Sequence, residues 1–416
     1  MMASGDPGPG DSAFRWVWLS QTITGFGSQI TGLALPTIAI LSLNSSPFEV
    51  SLLEALQFVA FPIVALPLGV LLDRMPRRPT LMATQLILMI GLVTIPIGQV
   101  LGFLWFPHLC VVALLLGICT SAADVAYHSY VPSVVSRDQL LSANAKLEAS
   151  VSAAEVAGPA VGGILIGLLT GAIAILVDVG ALVTSLLFLG RVRRPEVIER
   201  ANELEGGTSS FARDARAGLA EVLANRSVRT ITISSATANV GWSMTEAVLL
   251  IFLYRDLGFT PQVVGLLVMT ASVTVLLGTG LARIAGERLG EGRSLVIAAL
   301  LVGVGLLIAP IGAVAIAPAA VFLSRALVGL MLPVFNINSL TIRQTTSPPS
   351  FLGRVNATVR AIAWITRPFA ALLGGALAAT VGVVPTLVVA GSVTCGSSIV
   401  LIAGGLHRFK LSAAVA

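Results

Sequence analysis

Apolar residues in this chain come in runs of roughly 20, each long enough as a helix to cross a hydrocarbon core ~30 Å thick, and each ended by a short turn carrying charge, glycine or proline. The runs start near residues 16, 50, 80, 104, 140, 172, 228, 261, 294, 317, 355 and 383. That pattern predicts an all-α membrane protein of twelve transmembrane helices.

The polar residues between the runs set the orientation. Alternate connections are basic: Arg74, Arg77 and Arg78; Arg137; Arg191, Arg193, Arg194 and Arg200; Arg283, Arg288 and Arg293; Arg343 and Arg354; Arg408 and Lys410. The remaining connections carry little beyond Arg255. Short cytoplasmic loops collect Lys and Arg, so both termini are expected in the cytoplasm, which requires an even number of spans. Five segments follow: a cytoplasmic tail (1–15), a first six-helix bundle (16–190), a cytoplasmic linker (191–227), a second six-helix bundle (228–405) and a second tail (406–416). Within the linker Phe211, Ala215, Leu219 and Leu223 fall at helical spacing with charges between them, the pattern of a helix on the membrane face; a solvated linker is the alternative.

The two bundles carry a repeat. Gly27 and Gly241, Pro47 and Pro261, and Leu52 and Leu266 are each 214 apart, while Gly117 and Gly329, Asn144 and Asn356, and Gly162 and Gly374 are each 212 apart. Six spans restore the starting side of the membrane, so the bundles are expected to be related by a pseudo-two-fold axis along the membrane normal, with a substrate cavity at the repeat interface near the midplane.

Composition narrows the class further. With 56% hydrophobic residues and only 25 basic and 20 acidic side chains, the chain fits neither a water-soluble enzyme nor a disordered segment. Cys110, Cys119 and Cys395 lie singly in apolar runs, and His108, His128 and His407 are scattered, so no disulfide framework or metal site is indicated. Neither lysine, Lys146 or Lys410, follows a glycine, which excludes a Walker loop. The net charge of +5 is spread between spans rather than gathered in one patch, so nucleic acid is not a partner. No cofactor and no enzymatic activity are implied. The expected partners are a small molecule, protons and the lipid bilayer, and the expected state is a monomer.

A charge inside a span costs ~3 kcal/mol or more and needs a partner, water or a task. The candidates are Asp124, Glu148, Glu155, Asp178, Glu246, Arg325, Arg360 and Arg367. Glu54 and Arg255 sit nearer the outer surface, where snorkelling makes charge cheap. Glu148 and Glu155, seven apart, share a helix face, and their repeat counterparts at an offset of 212 are Arg360 and Arg367, which sets acids of one half against bases of the other. The alternative for Glu148 and Arg360 is pairing that only holds helices together. Asp124 shares a face with Tyr127 and His128 and suits either a proton-binding carboxylate or a gate residue paired with Arg343 or Lys146. Asp178 and Glu246 stand isolated in the sequence. Asn336, Asn338, Trp242 and Trp364 are candidates for lining a substrate cavity, against the alternative of helix-to-helix bonding and packing.

Between the second and third runs the chain reads GVLLDRMPRRPTL, in which Gly69, Asp73, Arg74, Arg77 and Arg78 resemble the loop signature of the major facilitator superfamily, with Pro76 where that pattern has glycine. The fifth run holds AEVAGPAVGG; its Gly158, Pro159, Gly162 and Gly163 resemble the antiporter signature of drug/proton exporters, with Ala154 in place of the first glycine. Stretches such as ADVAYHSYVPSVV and LGRVNATVR are similar to the twelve-span branch of macrolide and siderophore exporters, especially its actinobacterial members. One departure is Ala113, which stands 212 before Arg325 where many exporters carry arginine.

The resemblance implies a secondary transporter of the bacterial cytoplasmic membrane that exports a small, mainly hydrophobic compound in exchange for protons. Glu155, Asp124, Glu246 and Glu148 are the expected proton-coupling acids, with Arg367, Arg360 and Arg325 as charge partners. Gly69, Asp73, Arg74, Arg77 and Arg78 form the expected cytoplasmic gate. A facilitator or importer of the same fold, or a membrane protein that binds a ligand without moving it, are the alternatives.

Overall fold

The computed structural model of the chain describes residues 9–72, 75–136, 139–192, 208–313 and 317–410, and every regular element among them is helical. In chain order the helices are α1 (Pro9–Thr37), α2 (Pro47–Leu72), α3 (Arg77–Val100), α4 (Phe106–Val134), α5 (Leu140–Leu169), α6 (Gly171–Arg191), α7 (Thr208–Ala224), α8 (Arg226–Ile251), α9 (Pro261–Leu289), α10 (Glu291–Ile308), α11 (Ala317–Thr346), α12 (Leu352–Val381) and α13 (Val383–Ala403). Eleven of them are long and apolar enough to cross a membrane, and α2, with 26 residues, makes the twelfth. Helices are what a bilayer demands, because lipid satisfies no backbone polar group and a spanning segment must close its own hydrogen bonds. Exposed residues such as Ile90, Leu168, Leu187, Leu277 and Ile399 are the ordinary surface of such helices.

Two compact units contain these elements. The first comprises residues 1–45, 56–202 and 260–266. Inside it α1 packs on α5 and α6, and α3 packs on α4 and α6. The second comprises residues 46–55, 203–259 and 267–416, with α8 against α12 and α13, α10 against α11 and α13, and α7 against α12.

The repeat read from residue identities is present in the backbone at the same offsets. The first long helix of each half ends in a π-helical turn, Ile38–Ser42 and Phe252–Asp256 (252 − 38 = 214). Two residues further on each chain takes a left-handed residue, Asn44 with φ 52° and Gly258 with φ 65°, again 214 apart. The junctions α5–α6 and α12–α13 turn on Thr170 (φ 84°, ψ 156°) and Gly382 (φ 96°, ψ 164°), which are 212 apart. Such a combination is essentially reserved for glycine, and a side chain there costs of order 1–3 kcal/mol. Glycine recovers that strain and gives back ~0.5–1 kcal/mol as extra freedom of the unfolded chain. Thr170→Gly is therefore expected to stabilise the protein by about 1 kcal/mol. A thermal melt of purified protein in detergent checks this; an unchanged or lower midpoint would show that the turn is not strained.

Helix α7 docks through Gly218, where an added Cβ would lie 2.8 Å from the Arg354 carbonyl oxygen, and through Val222, which is buried with Val228, Val355 and Val359. Leu219 and Leu223 of the expected apolar stripe point outward, and the side chains of Phe211 and Ala215 lie outside the described residues. The packed row is the adjacent one because glycine at 218 lets the two backbones close.

Candidate functional site

The second unit lines a partly open cavity of about 280 Å³. Helix α8 supplies Ser235, Ala238, Asn239 and Trp242, which recur at steps of three and four residues and so form one face of that helix. Phe335 and Asn336 of α11 and Arg367 of α12 add an aromatic ring, an amide and a cation. Trp242 and Asn336 were expected at a substrate site and Arg367 as a charge partner, and the fold brings all three to one cavity. Asn338 instead donates from its buried amide to the Val334 carbonyl oxygen of its own helix at 2.8 Å. Trp364 stacks beside Arg367, whose guanidinium carbon is 5.5 Å from the ring centroid.

Charge is concentrated beside this cavity. Arg325 donates to both carboxylate oxygens of Glu246, Nη1 to Oε1 at 2.7 Å and Nη2 to Oε2 at 3.2 Å. The two side chains are 9% and 28% exposed, so the pair is largely shielded from solvent. Trp242 covers it, with its ring centroid 5.9 Å from the Arg325 guanidinium carbon. Bidentate contact with an aromatic lid is the geometry that arginine, and not lysine, provides. Glu246, isolated in sequence, is thus ion-paired in the fold. Arg367 interacts electrostatically with Glu246 and with Glu54 of α2. Glu54 is half-buried and belongs to the second unit, so it is part of this charged group rather than a cheap surface carboxylate. A glutamate side chain is too short to snorkel from seven residues inside a helix that begins at Pro47.

The first unit holds the other candidates. Glu148 and Glu155 lie on α5, both exposed, and near enough to repel one another, in keeping with a shared face. Asp124 on α4 and Arg360 on α12, the latter in the second unit, are also exposed. Asp178, isolated in sequence, is buried on α6 and accepts a hydrogen bond from Thr31 Oγ1 of α1. Gly27 makes room for that carboxylate, since a Cβ there would meet Asp178 Oδ1. Of the expected gate, Asp73 and Arg74 lie outside the described residues, as do the surroundings of Gly69. Arg77 is half-buried, and Arg78 donates from Nε to Leu189 O at 2.8 Å and from Nη2 to Gly190 O at 3.0 Å. This arginine therefore closes the end of α6, where the last carbonyls lack helical partners.

The glycine motif of α5 is a packing surface. A Cβ at Gly158 would lie 2.6 Å from Gln29 Cβ, and one at Gly162 3.3 Å from Ile30 Cα, both on α1. On the neighbouring row, a Cβ at Gly163 would fall 2.4 Å from the Pro261 carbonyl oxygen and 2.9 Å from Gly265 Cα, in the segment 260–266 that belongs to the first unit. Pro159 lies inside the helix, so the Glu155 carbonyl four residues earlier lacks its usual donor.

The Major Facilitator Superfamily model matches residues 17–246 and 231–408, nearly the whole chain. This chain belongs to the Major Facilitator Superfamily. It is a multi-pass membrane protein and a transporter of small molecules. Among relatives, it is 24% identical over 371 residues to the multidrug efflux pump Tap of Mycolicibacterium fortuitum, covering 86% of this chain and 87% of that protein. It is 26% identical to the enterobactin exporter EntS of Salmonella paratyphi A over 416 residues, covering 97% and 95%. Macrolide efflux protein A of Streptococcus pyogenes is 21% identical over 377 residues, covering 89% and 90%. Solved structures share the fold: a bacterial homologue of the iron transporter ferroportin in an inward-facing state superposes with TM-score 0.76 at 17% identity, covering 95% of this chain and 99% of that one. The nucleoside transporter NupG superposes with TM-score 0.74 at 13% identity, covering 97% and 100%. In this superfamily member, then, the paired charges sit in a transporter of two six-helix sets.

Proposed function

We propose that this protein exports a small, mainly hydrophobic compound, of the drug, antibiotic or siderophore-like kind, from the bacterial cytoplasm in exchange for protons by alternating access. The observation that carries the reading is the cavity of the second unit: Trp242 and Phe335 give it apolar walls, Asn239 and Asn336 give it uncharged polar groups, and acids and bases meet at its edge. Relatives described as pumps and exporters of multiple drugs, enterobactin and macrolides favour the outward direction.

Exposed carboxylates halfway along a span argue for water beside them. Glu155 is the sixteenth residue of a 30-residue helix, where contact with lipid would cost ~3 kcal/mol or more. In this reading Glu155, Glu148, Asp124 and Glu246 are the acids through which protons pass, and Arg367, Arg360 and Arg325 respond to their charge. Gly69, Asp73, Arg74, Arg77 and Arg78 serve at the cytoplasmic side, where both termini also lie, and the protein acts as a monomer. One proton entering down the membrane potential supplies about 2.3 kcal/mol per 100 mV, enough for a modest concentration ratio.

A susceptibility panel in an efflux-deficient bacterial host tests this. The chain is expected to raise tolerance to one class of apolar compound, and Glu155→Gln, present at equal abundance in the membrane, is expected to abolish that tolerance. Full tolerance with the variant removes Glu155 from the mechanism. Heightened sensitivity conferred by the parent chain points to uptake instead.

A further inference from the structure

Helix α7 presents an apolar row that the protein does not cover. Leu219 and Leu223 are 43% and 53% exposed and stand one turn apart on the same side. The helix cannot roll to hide them. A Cβ at Gly218 would lie 2.5 Å from Thr358 Oγ1 and 2.8 Å from the Arg354 carbonyl oxygen, and Val222 is buried with Val228, Val355 and Val359, so this packed row fixes the rotation. The end of α7 is held as well. Arg229 donates from Nη1 to the Leu223 carbonyl oxygen at 2.7 Å. Asn225 donates from Nδ2 to the Thr346 carbonyl oxygen at 2.8 Å, while its Oδ1 accepts from the amides of Ser227 and Val228. At about 100° per residue, Leu219 and Leu223 stand about 80° and 120° round the helix from the middle of the packed row. Ala220 lies opposite that row, Arg216 between it and the leucines, and Glu221 on the other flank.

The depth of this row follows from the spans beside it. α8 with its π-helical end, Arg226–Asp256, has 31 residues and is about 46 Å long; α12 has 30 residues and is about 45 Å long, against a hydrocarbon core of roughly 30 Å. The surplus leaves the first turns of each in the headgroup layer, where the arginines at their starts, Arg226, Arg229 and Arg354, belong. A single residue, Asn225, separates α7 from α8, and Gly218 rests on the first two turns of α12. α7 therefore lies at headgroup level.

Charge at this level is one-sided. Between residues 216 and 230, Arg216, Arg226 and Arg229 are exposed, against one half-buried acid, Glu221. The preceding Arg213 and Asp214 cancel, and α12 carries no acid at all. We propose that α7 is an interfacial helix: Leu219 and Leu223 enter the boundary of the acyl chains, and Arg216, Arg226 and Arg229 hold the headgroups of anionic phospholipid. Leucines alone would accept any bilayer; the surplus of positive charge beside them selects lipid with a net negative charge. This anchor bears on the first turns of α12, the helix that brings Arg367 to the cavity. It depends neither on the direction of transport nor on the driving ion.

The test uses the full-length chain with Cys110, Cys119 and Cys395 replaced by alanine, in nanodiscs of phosphatidylcholine alone or of phosphatidylcholine and phosphatidylglycerol in equal parts. A nitroxide is attached in turn through Leu219→Cys, Leu223→Cys and Ala220→Cys. Its collisions with oxygen, which partitions into lipid, are compared with those with a water-soluble nickel chelate. In the mixed lipid, labels at 219 and 223 are expected to favour oxygen several-fold more than the label at 220. Labels at 219 and 223 that favour the chelate as strongly as the one at 220 place the row in water, and labels reached by neither place it against protein; either result overturns the proposal. The preference for oxygen is expected to fall in phosphatidylcholine alone. Arg216→Gln combined with Arg226→Gln, folded by its thermal melt, is expected to abolish that dependence on lipid charge; Arg229 stays because it closes the end of α7. The same dependence in this double variant, or none in the parent, overturns the assignment of anionic headgroups to these arginines.

Discussion

Glu246→Gln is expected to destabilise the protein by about 3–5 kcal/mol, because it strips the counter-charge from a buried arginine. Arg325 is only 7% exposed, and its guanidinium has Trp242 over one face and the carboxylate at its fork. An amide retains one acceptor but no charge, so the cation would stay buried uncompensated. Arg325→Met is expected to cost less, because the Glu246 side chain, 28% exposed, can recover hydration. The double variant Glu246→Gln with Arg325→Met should recover part of the loss, as neither charge is then stranded. A double-mutant cycle of thermal or denaturant stability in detergent measures this coupling. Additive single effects would show that the two side chains do not act as a pair.

The second large effect is expected at Gly163. A Cβ there meets a carbonyl oxygen at 2.4 Å and a Cα at 2.9 Å, both backbone atoms, which cannot swing aside as a side chain can. Forcing atoms into a packed interface costs roughly 1–3 kcal/mol, and a branched side chain lies at or above the top of that range. Gly163→Val should therefore lower the melting temperature sharply, with Gly163→Ala between it and the parent. Gly180, inside α6 with nothing within 4 Å of its added Cβ, supplies the control. Gly180→Ala should be neutral or stabilising by up to ~1 kcal/mol, since alanine is the better helix former. Equal melts for Gly163→Val and Gly180→Ala would mean that the close approach of α5 to residues 261–265 does not matter.

Much of the fold is legible in the chain because bilayer thickness writes itself into run length. Runs expected from 80, 104, 140 and 172 are helices beginning at Arg77, Phe106, Leu140 and Gly171. The repeat was legible because its offsets survive in glycines and prolines, residues chosen for backbone geometry, and the same offsets return in the π-helical turns and the positive-φ residues. Turns that need unusual geometry constrain their residues more than lipid-facing surface does, although Thr170 shows that one half has tolerated a poor choice.

The charged site was less legible. Periodicity states which residues share a face of one helix, as it did for Glu148 and Glu155, but not which helices pack together. Glu246 and Arg325 are 79 positions apart, and their pairing depends on α8 lying near α11. A depth count would have helped: Glu246 is about 15 Å from the end of its span at Asp256 and Arg325 about 12 Å from the start of its span at Ala317, two ends on the same membrane side. By the same count Glu54 lies about 10 Å in from Pro47, too deep for a short carboxylate to reach the surface. Weighing charges by distance from the run's edge, rather than by loop proximity, adds Glu54 to Glu246 and Arg325, which already stand among the charges inside spans.

Proton-driven export is most directly tested with inverted membrane vesicles containing the parent chain, energised to an acidic interior and offered an apolar dye from outside. The account predicts accumulation inside, reversed when nigericin collapses the pH gradient. Equal dye levels with and without the gradient, in vesicles shown to hold folded protein, would contradict it.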